Sequence, residues 1–198
     1  MFTGIVREVG VVSGLTRRSD LIRLSVDAPS IASGAQRLDS VAVNGACLSV
    51  VDARPPQLHF ELIPETGSLT TLAALRRGDL VNLEPSLLLT DRLNGHLVLG
   101  HVDGVGTVAR RRDQAGERAL DIRVDRRLGA WLAPKGPITV DGVSLTAGAR
   151  VTPTSFTVHL IPETLRLTTL RHRRQGDRVN LEFDYVAKLI RRFLRRPS

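Results

Sequence analysis

The sequence predicts an all-β fold: two small antiparallel barrels in tandem, five to six strands each, followed by one C-terminal α-helix. Three observations carry this. The chain repeats itself at about half its length, its apolar residues fall in short runs between turn residues, and only its last segment has a helical period.

The repeat comes first. Residues 62–84, LIPETGSLTTLAALRRGDLVNLE, align without gaps on residues 160–182, LIPETLRLTTLRHRRQGDRVNLE, with 16 of 23 positions identical. Upstream, VAVNGACLSV (41–50) matches ITVDGVSLTA (138–147), and TGIVREVGVV (3–12) matches LGHVDGVGTV (99–108). The offset stays between 96 and 98 residues throughout. The chain is therefore a tandem duplication. Its second copy opens inside GHLVLGHVDGVG, residues 95–106.

In the first copy, residues 10–13, 21–26, 41–43, 47–51, 58–63 and 80–83 read as strands, since each is a short apolar or alternating run. Asn44-Gly45 and Asp141-Gly142 are hairpin dipeptides, because a type I′ turn needs positive φ at both central residues. Residues 30–34 and 128–132 read as short helices between strands. In ELIPET and HLIPET a strand ends at proline, which removes a backbone donor. After Asp184, the residues Val186, Leu189, Ile190 and Phe193 form one apolar helical stripe. Lys188, Arg191, Arg192, Arg195 and Arg196 lie off that stripe, and Asp184 is placed to cap the helix. So short a stripe must dock on a barrel or on copies of itself.

Composition bounds the function. Of 198 residues 42 % are hydrophobic, which is ordinary for a globular chain. No run of apolar residues is long enough to span a membrane, and MFTG does not open a signal peptide. Cys47 is the only cysteine, so a disulfide within one chain is excluded and the cytoplasm is the expected compartment. No zinc-ligand spacing is present, and no metal is expected. The net charge of +8 comes almost wholly from arginine, Lys135 and Lys188 being the only lysines. That points to compositional bias. With five Phe, one Tyr and one Trp for base stacking, nucleic acid is not expected as a partner.

The duplication acts as an internal control for chemistry. Shared by both copies are IPET, LTTL and the Asn-Gly or Asp-Gly turn. By itself IPET fits a turn capped by Thr as well as a rim that binds a planar polar ligand. Unshared are Cys47 (Ser144 in the second copy), His101 (Ile5 in the first), Ser40 (Pro137) and Asp184. Taken singly, Cys47 reads as a small buried hydrophobe, His101 as a structural histidine and Asp184 as a helix cap. Taken together they are a thiol, an imidazole, a hydroxyl and a carboxylate that break the symmetry, as a reacting site would.

The motifs MFTGIV, NGACLSV, DRLNGHLVLGHVDG, VDGVSLT and the repeated IPET…LTTL, in this order, resemble the riboflavin synthase family, over residues 1 to 190. The resemblance implies two six-stranded Greek-key barrels, over residues 1–97 and 98–185, a C-terminal helix over 186–198, and a homotrimer. It implies that each barrel binds one 6,7-dimethyl-8-ribityllumazine. The active site is then a sandwich of the first barrel of one subunit and the second barrel of the next. One lumazine gives four carbons to the other, yielding riboflavin and 5-amino-6-(D-ribitylamino)uracil. No cofactor is needed, since the two substrates oxidise and reduce each other.

Carried over by motif, the catalytic residues are Ser40, Cys47, His101 and Asp184. His101 is expected to act as base or proton shuttle. Ser40 and Cys47 are expected to position or activate a nucleophile, and Asp184 to orient a partner group. The first barrel's ligand stretches are expected to be Gly4, Ile5 and Val6; Cys47, Leu48 and Ser49; and Glu61, Leu62, Ile63, Pro64, Glu65 and Thr66. The second barrel's are Gly100, His101 and Val102; Ser144, Leu145 and Thr146; and His159, Leu160, Ile161, Pro162, Glu163 and Thr164. Lys135 is expected to reach a neighbouring subunit's ligand. A lumazine synthase shell is left open as a partner. Leu99 and Asn94 depart from the family's usual pattern. The alternative reading is a non-catalytic lumazine or flavin carrier on the same fold.

Overall fold

The computed structural model describes residues 1–18 and 21–194; the predicted helical positions Arg195 and Arg196 lie outside them. The first half runs β1 (Glu8–Arg18), β2 (Leu21–Asp27), α1 (Pro29–Ala32), β3 (Ser40–Val43), β4 (Ala46–Arg54), β5 (Gln57–Leu62), α2 (Pro64–Leu69) and β6 (Leu80–Pro85). The second runs β7 (Gly104–Gln114), β8 (Glu117–Arg123), α3 (Arg126–Gly129), β9 (Pro137–Val140), β10 (Val143–Thr146), β11 (Ser155–Leu160), α4 (Pro162–Leu167), β12 (Arg178–Phe183) and α5 (Tyr185–Leu194).

The first six strands close into a barrel in the order β1-β2-β5-β4-β3-β6. The second six keep the same cyclic order, β10-β9-β12-β7-β8-β11. Here β10 is short, and the residue just after it, Ala147, bridges to Val158 of β11. Strand alternation fills each interior: Leu24, Val43, Leu58, Phe60 and Leu83 in one, Ile122, Val140, Phe156, Val158 and Leu181 in the other. Even an irregularity is duplicated, since β1 slips register between Val12 and Gly14, and β7 between Val108 and Arg110.

IPET departs from the expectation of a bare strand end. Pro64 and Pro162 stand at the first helical turn of α2 and α4, where the missing N–H costs nothing.

The halves meet about a local pseudo-dyad. The turn residues Asn44, Gly45, Asp141 and Gly142 all have positive φ, as expected. A Cβ on Gly45 would sit 2.7 Å from the Gly142 nitrogen, so the two turn tips touch. The asparagines of the two VNLE motifs sew this seam. Asn82 donates to the Asp141 carbonyl at 2.9 Å and accepts from Thr169 N–H at 2.7 Å. Asn180 donates to the Asn44 carbonyl at 2.8 Å and accepts from Thr71 N–H at 2.7 Å.

Helix α5 is capped as expected, with Val186 N–H donating to Asp184 Oδ1 at 3.0 Å. Polar contacts hold it: Lys188 Nζ lies 2.8 Å from both Asp103 carboxylate oxygens, and the Arg191 guanidinium lies over the Trp131 ring. Its apolar stripe stays largely outside, Val186 being 49 % and Ile190 55 % exposed.

Candidate functional site

The segments preceding β1 and β7 cross over. Phe2 and Thr3 pair with Val98 and His96, Phe2 N–H donating to the Val98 carbonyl at 2.8 Å. Beyond that crossing each segment lies on the opposite half. The Gly100 carbonyl accepts from Cys47 N–H of β4 at 2.8 Å, and the Gly4 carbonyl accepts from Ser144 N–H of β10 at 2.7 Å. Val102 packs on the first core and Val6 on the second. Both contacts require glycine. Gly4 and Gly100 each have φ of +76°, and a Cβ on either would lie 2.6 Å from the Cβ of Ser144 or Cys47. The expected allocation is thereby corrected: Gly100, His101 and Val102 complete the first barrel's surface, while Gly4, Ile5 and Val6 complete the second's. Strand order assigns a segment by sequence; packing assigns it by the crossing.

On the first barrel this builds a cavity of about 280 Å³ lined by Cys47, Glu65, Thr66, His101 and Val102. Cys47 points outward from β4, half-buried as a free thiol, and His101 is exposed at the mouth. A thiol, an imidazole and a helix-end hydroxyl thus share one small hollow, a setting that can hold a heterocycle and move a proton at its edge. Ser40 lies elsewhere on the same outer surface. It pairs with Ser49 across β3 and β4 and lines a neighbouring cavity of about 490 Å³ with Arg7 and Asp39.

Around Ser144 the second half places different groups. His96 Nδ1 lies 2.8 Å from Ser144 Oγ. Burial lowers the His96 pKa, and the nearby Asp184 charge opposes this. Asp184 therefore accompanies His96. Reasoning from sequence named His101 and passed over His96, although the doubled Gly-His of residues 95–101 was a signal for both. Gly95 is also fixed, since a Cβ there would lie 2.0 Å from the Thr3 carbonyl.

Among the other expected binding positions, Leu48, Leu62 and Leu160 turn their side chains into the cores. Only their backbones face outward. Leu145 is partly buried against the second core, between the half-buried Ser144 and the exposed Thr146. Glu61 pairs with Arg23 at 2.9 Å, and its twin His159 lies 3.3 Å from Glu117. Ile63, Pro64 and Glu65, with Ile161, Pro162 and Glu163, are exposed at the rims, and Thr66 and Thr164 are half-buried behind them. Glu163 is bridged to Arg166. Lys135 is exposed before β9, with φ of 61°.

A closed barrel and a second six-stranded sheet of the same strand order, each completed by a segment that leads into the other, define a duplicated all-β protein. The chain belongs to the lumazine binding domain family, whose pattern matches residues 3–86 and 99–184. Over 198 residues it is 42 % identical to the riboflavin synthase of Mycobacterium tuberculosis, covering 98 % of both chains. It is 37 % identical to that of Bacillus subtilis, covering all of this chain and 92 % of the other. Among solved structures, LumP complexed with riboflavin superposes with a TM-score of 0.85 at 25 % identity, covering 93 % of this chain and all of that one. LumP complexed with 6,7-dimethyl-8-(1'-D-ribityl) lumazine gives 0.84 at 23 % identity.

Proposed function

We propose that this chain is a transferase of riboflavin biosynthesis: it converts two molecules of 6,7-dimethyl-8-ribityllumazine into riboflavin and 5-amino-6-(D-ribitylamino)uracil. The observation that carries the reading is the first-barrel cavity, where Cys47 and His101 meet beside the IPET helix, on a chain 37 to 42 % identical to riboflavin synthases. The reaction needs two identical heterocycles held face to face. Twin surfaces inherited from one ancestral half supply matched cradles, and holding both reactants turns a bimolecular encounter into an arranged one.

In this reading His101 takes a proton from the C7 methyl of one lumazine, whose carbanion spreads into the ring. Cys47 and Ser40 position or supply the nucleophile that adds to C7 of the other. Asp184, beside His96 and Ser144, orients the second ligand. The two barrels over 1–97 and 98–185 are the working units, and the C-terminal helix α5 joins copies into a homotrimer in the cytoplasm. The exposed stripe of α5 supports that assembly, which would bring Lys135 to a neighbour's ligand. The carrier reading is not favoured: identity to the LumP structures is 23 to 25 %, below that to the enzymes.

The test is incubation of the pure protein with 6,7-dimethyl-8-ribityllumazine alone. Riboflavin should appear, one for every two lumazines consumed. A shift in lumazine fluorescence with no flavin formed would establish a carrier instead.

A further inference from the structure

We infer that Glu182 is a positioning residue for His101, acting from the opposite barrel through a two-point clamp on the crossing segment. The inference rests on the proposed role of His101. Glu182 lies on β12 of the second half and is 3 % exposed. Its two oxygens face two successive amides: Leu99 N–H donates to Oε1 at 2.8 Å, and Gly100 N–H to Oε2 at 2.9 Å. The next residue is His101, in the first barrel's cavity.

The far side is tied to the same strand. Asp103 N–H donates to the Leu181 carbonyl at 2.8 Å, and Asp103 Oδ2 accepts from Phe183 N–H at 2.8 Å. His101 and Val102 thus form a two-residue bridge fixed at both ends to β12. Cys47 N–H, donating to the Gly100 carbonyl, locks the bridge to the first barrel. Burying a carboxylate is costly unless its hydrogen bonds are satisfied, and here the satisfying donors are the backbone of the site. The device is duplicated. Glu84, the matching Glu of the first VNLE, accepts Thr3 N–H at 2.7 Å, Thr3 Oγ1 at 2.8 Å and Gly4 N–H at 3.0 Å. Each half therefore holds, with one buried acid, the segment that completes the other half's surface.

Glu182→Gln in the full chain tests this. An amide offers one acceptor oxygen and turns an NH₂ against the second N–H, so one clamp point becomes a clash of donors. Hydrogen exchange at Leu99 and Gly100 should quicken about ten-fold, as loss of one such bond implies, while the amides of β9 keep their protection. The kcat for riboflavin formation should fall about ten- to a hundred-fold with KM changed far less. Added to His101→Gln, the same change should lower kcat by less than about three-fold more, because both act through one group. Glu84→Gln should loosen Thr3 and Gly4 and leave exchange at Leu99 unaltered.

Unchanged exchange at Leu99 and Gly100, an unchanged kcat, or full additivity with His101→Gln would each overturn the inference. Should Glu182→Gln fail to fold, Glu182→Asp, too short to reach both amides, carries the same readouts. A wild-type chain that bound lumazine without converting it would sink the enzyme reading. Exchange and lumazine affinity of the variant would then decide the clamp alone, local loosening with weakened binding supporting it and anything else refuting it.

Discussion

The duplication offers two solutions to one packing problem at the seam, and exchanging them is a quantitative test. Asp141 is fully buried, accepts Asn180 N–H at 2.8 Å through Oδ1, and pairs with Arg173 through Oδ2 at 2.7 Å. Its twin Asn44 makes the same backbone bond, to Asn82 N–H at 2.8 Å, and the twin of Arg173 is the neutral Leu75. Burial pushes the Asp141 carboxyl up, against the pull of the Arg173 guanidinium. The same carboxylate pushes the Arg173 guanidinium up, favouring its charge; a buried pair of this kind typically adds little net stability, while breaking it strands a charge. Arg173→Leu alone should cost about 3–5 kcal/mol. For a chain of this length that lowers Tm by roughly 10 °C. Asp141→Asn combined with Arg173→Leu recreates the first copy's arrangement and should return stability to within about 1 kcal/mol of the parent. Urea denaturation at neutral pH reads both. A double variant as unstable as Arg173→Leu would refute the claim that the pair is replaceable.

His101→Gln should lower kcat by about a hundred-fold or more if the imidazole moves the proton; a loss of less than a few-fold, measured by riboflavin absorbance, removes it from that role. Hydrogen bonds from Arg111 and then Arg118 hold the Asp113 carboxyl down to about 2. Its contribution to stability is thus complete above the ordinary value of 3.8 and is lost as pH falls through about 2; a carboxyl NMR titration near 3.8 would contradict the geometry. If α5 joins copies as proposed, Val186→Glu combined with Ile190→Glu should give smaller species than the parent in sedimentation, and a variant that sediments as the parent does would show that α5 does not join copies.

Much of the fold was legible because repetition and alternation are local signals. The strands, the two positive-φ turns and the Asp184 cap follow from residues within a few positions of each other. The crossing of the segments was not legible. Thr3-Gly4-Ile5-Val6 and Leu99-Gly100-His101-Val102 look alike, and likeness says which residues are equivalent without saying which barrel each one rests on. Glu84 and Glu182 were hidden for another reason: inside VNLE they read as the polar phase of a strand, and only their buried amide partners reveal a task. Cys47 and His101 were found together, whereas Asp184 was found without His96, its neighbour in space.

The crossing also bears on descent. A lone ancestral half, carrying one such arm and one such receiving surface, has no way to satisfy both within itself. With this geometry the arm of a single half would land on a sister molecule, and the sister's on it, as a reciprocal pair. Joining two such halves in one chain makes the meeting intramolecular and frees it from dilution. Only afterwards was each arm at liberty to differ, one becoming Gly-Ile-Val and the other Gly-His-Val.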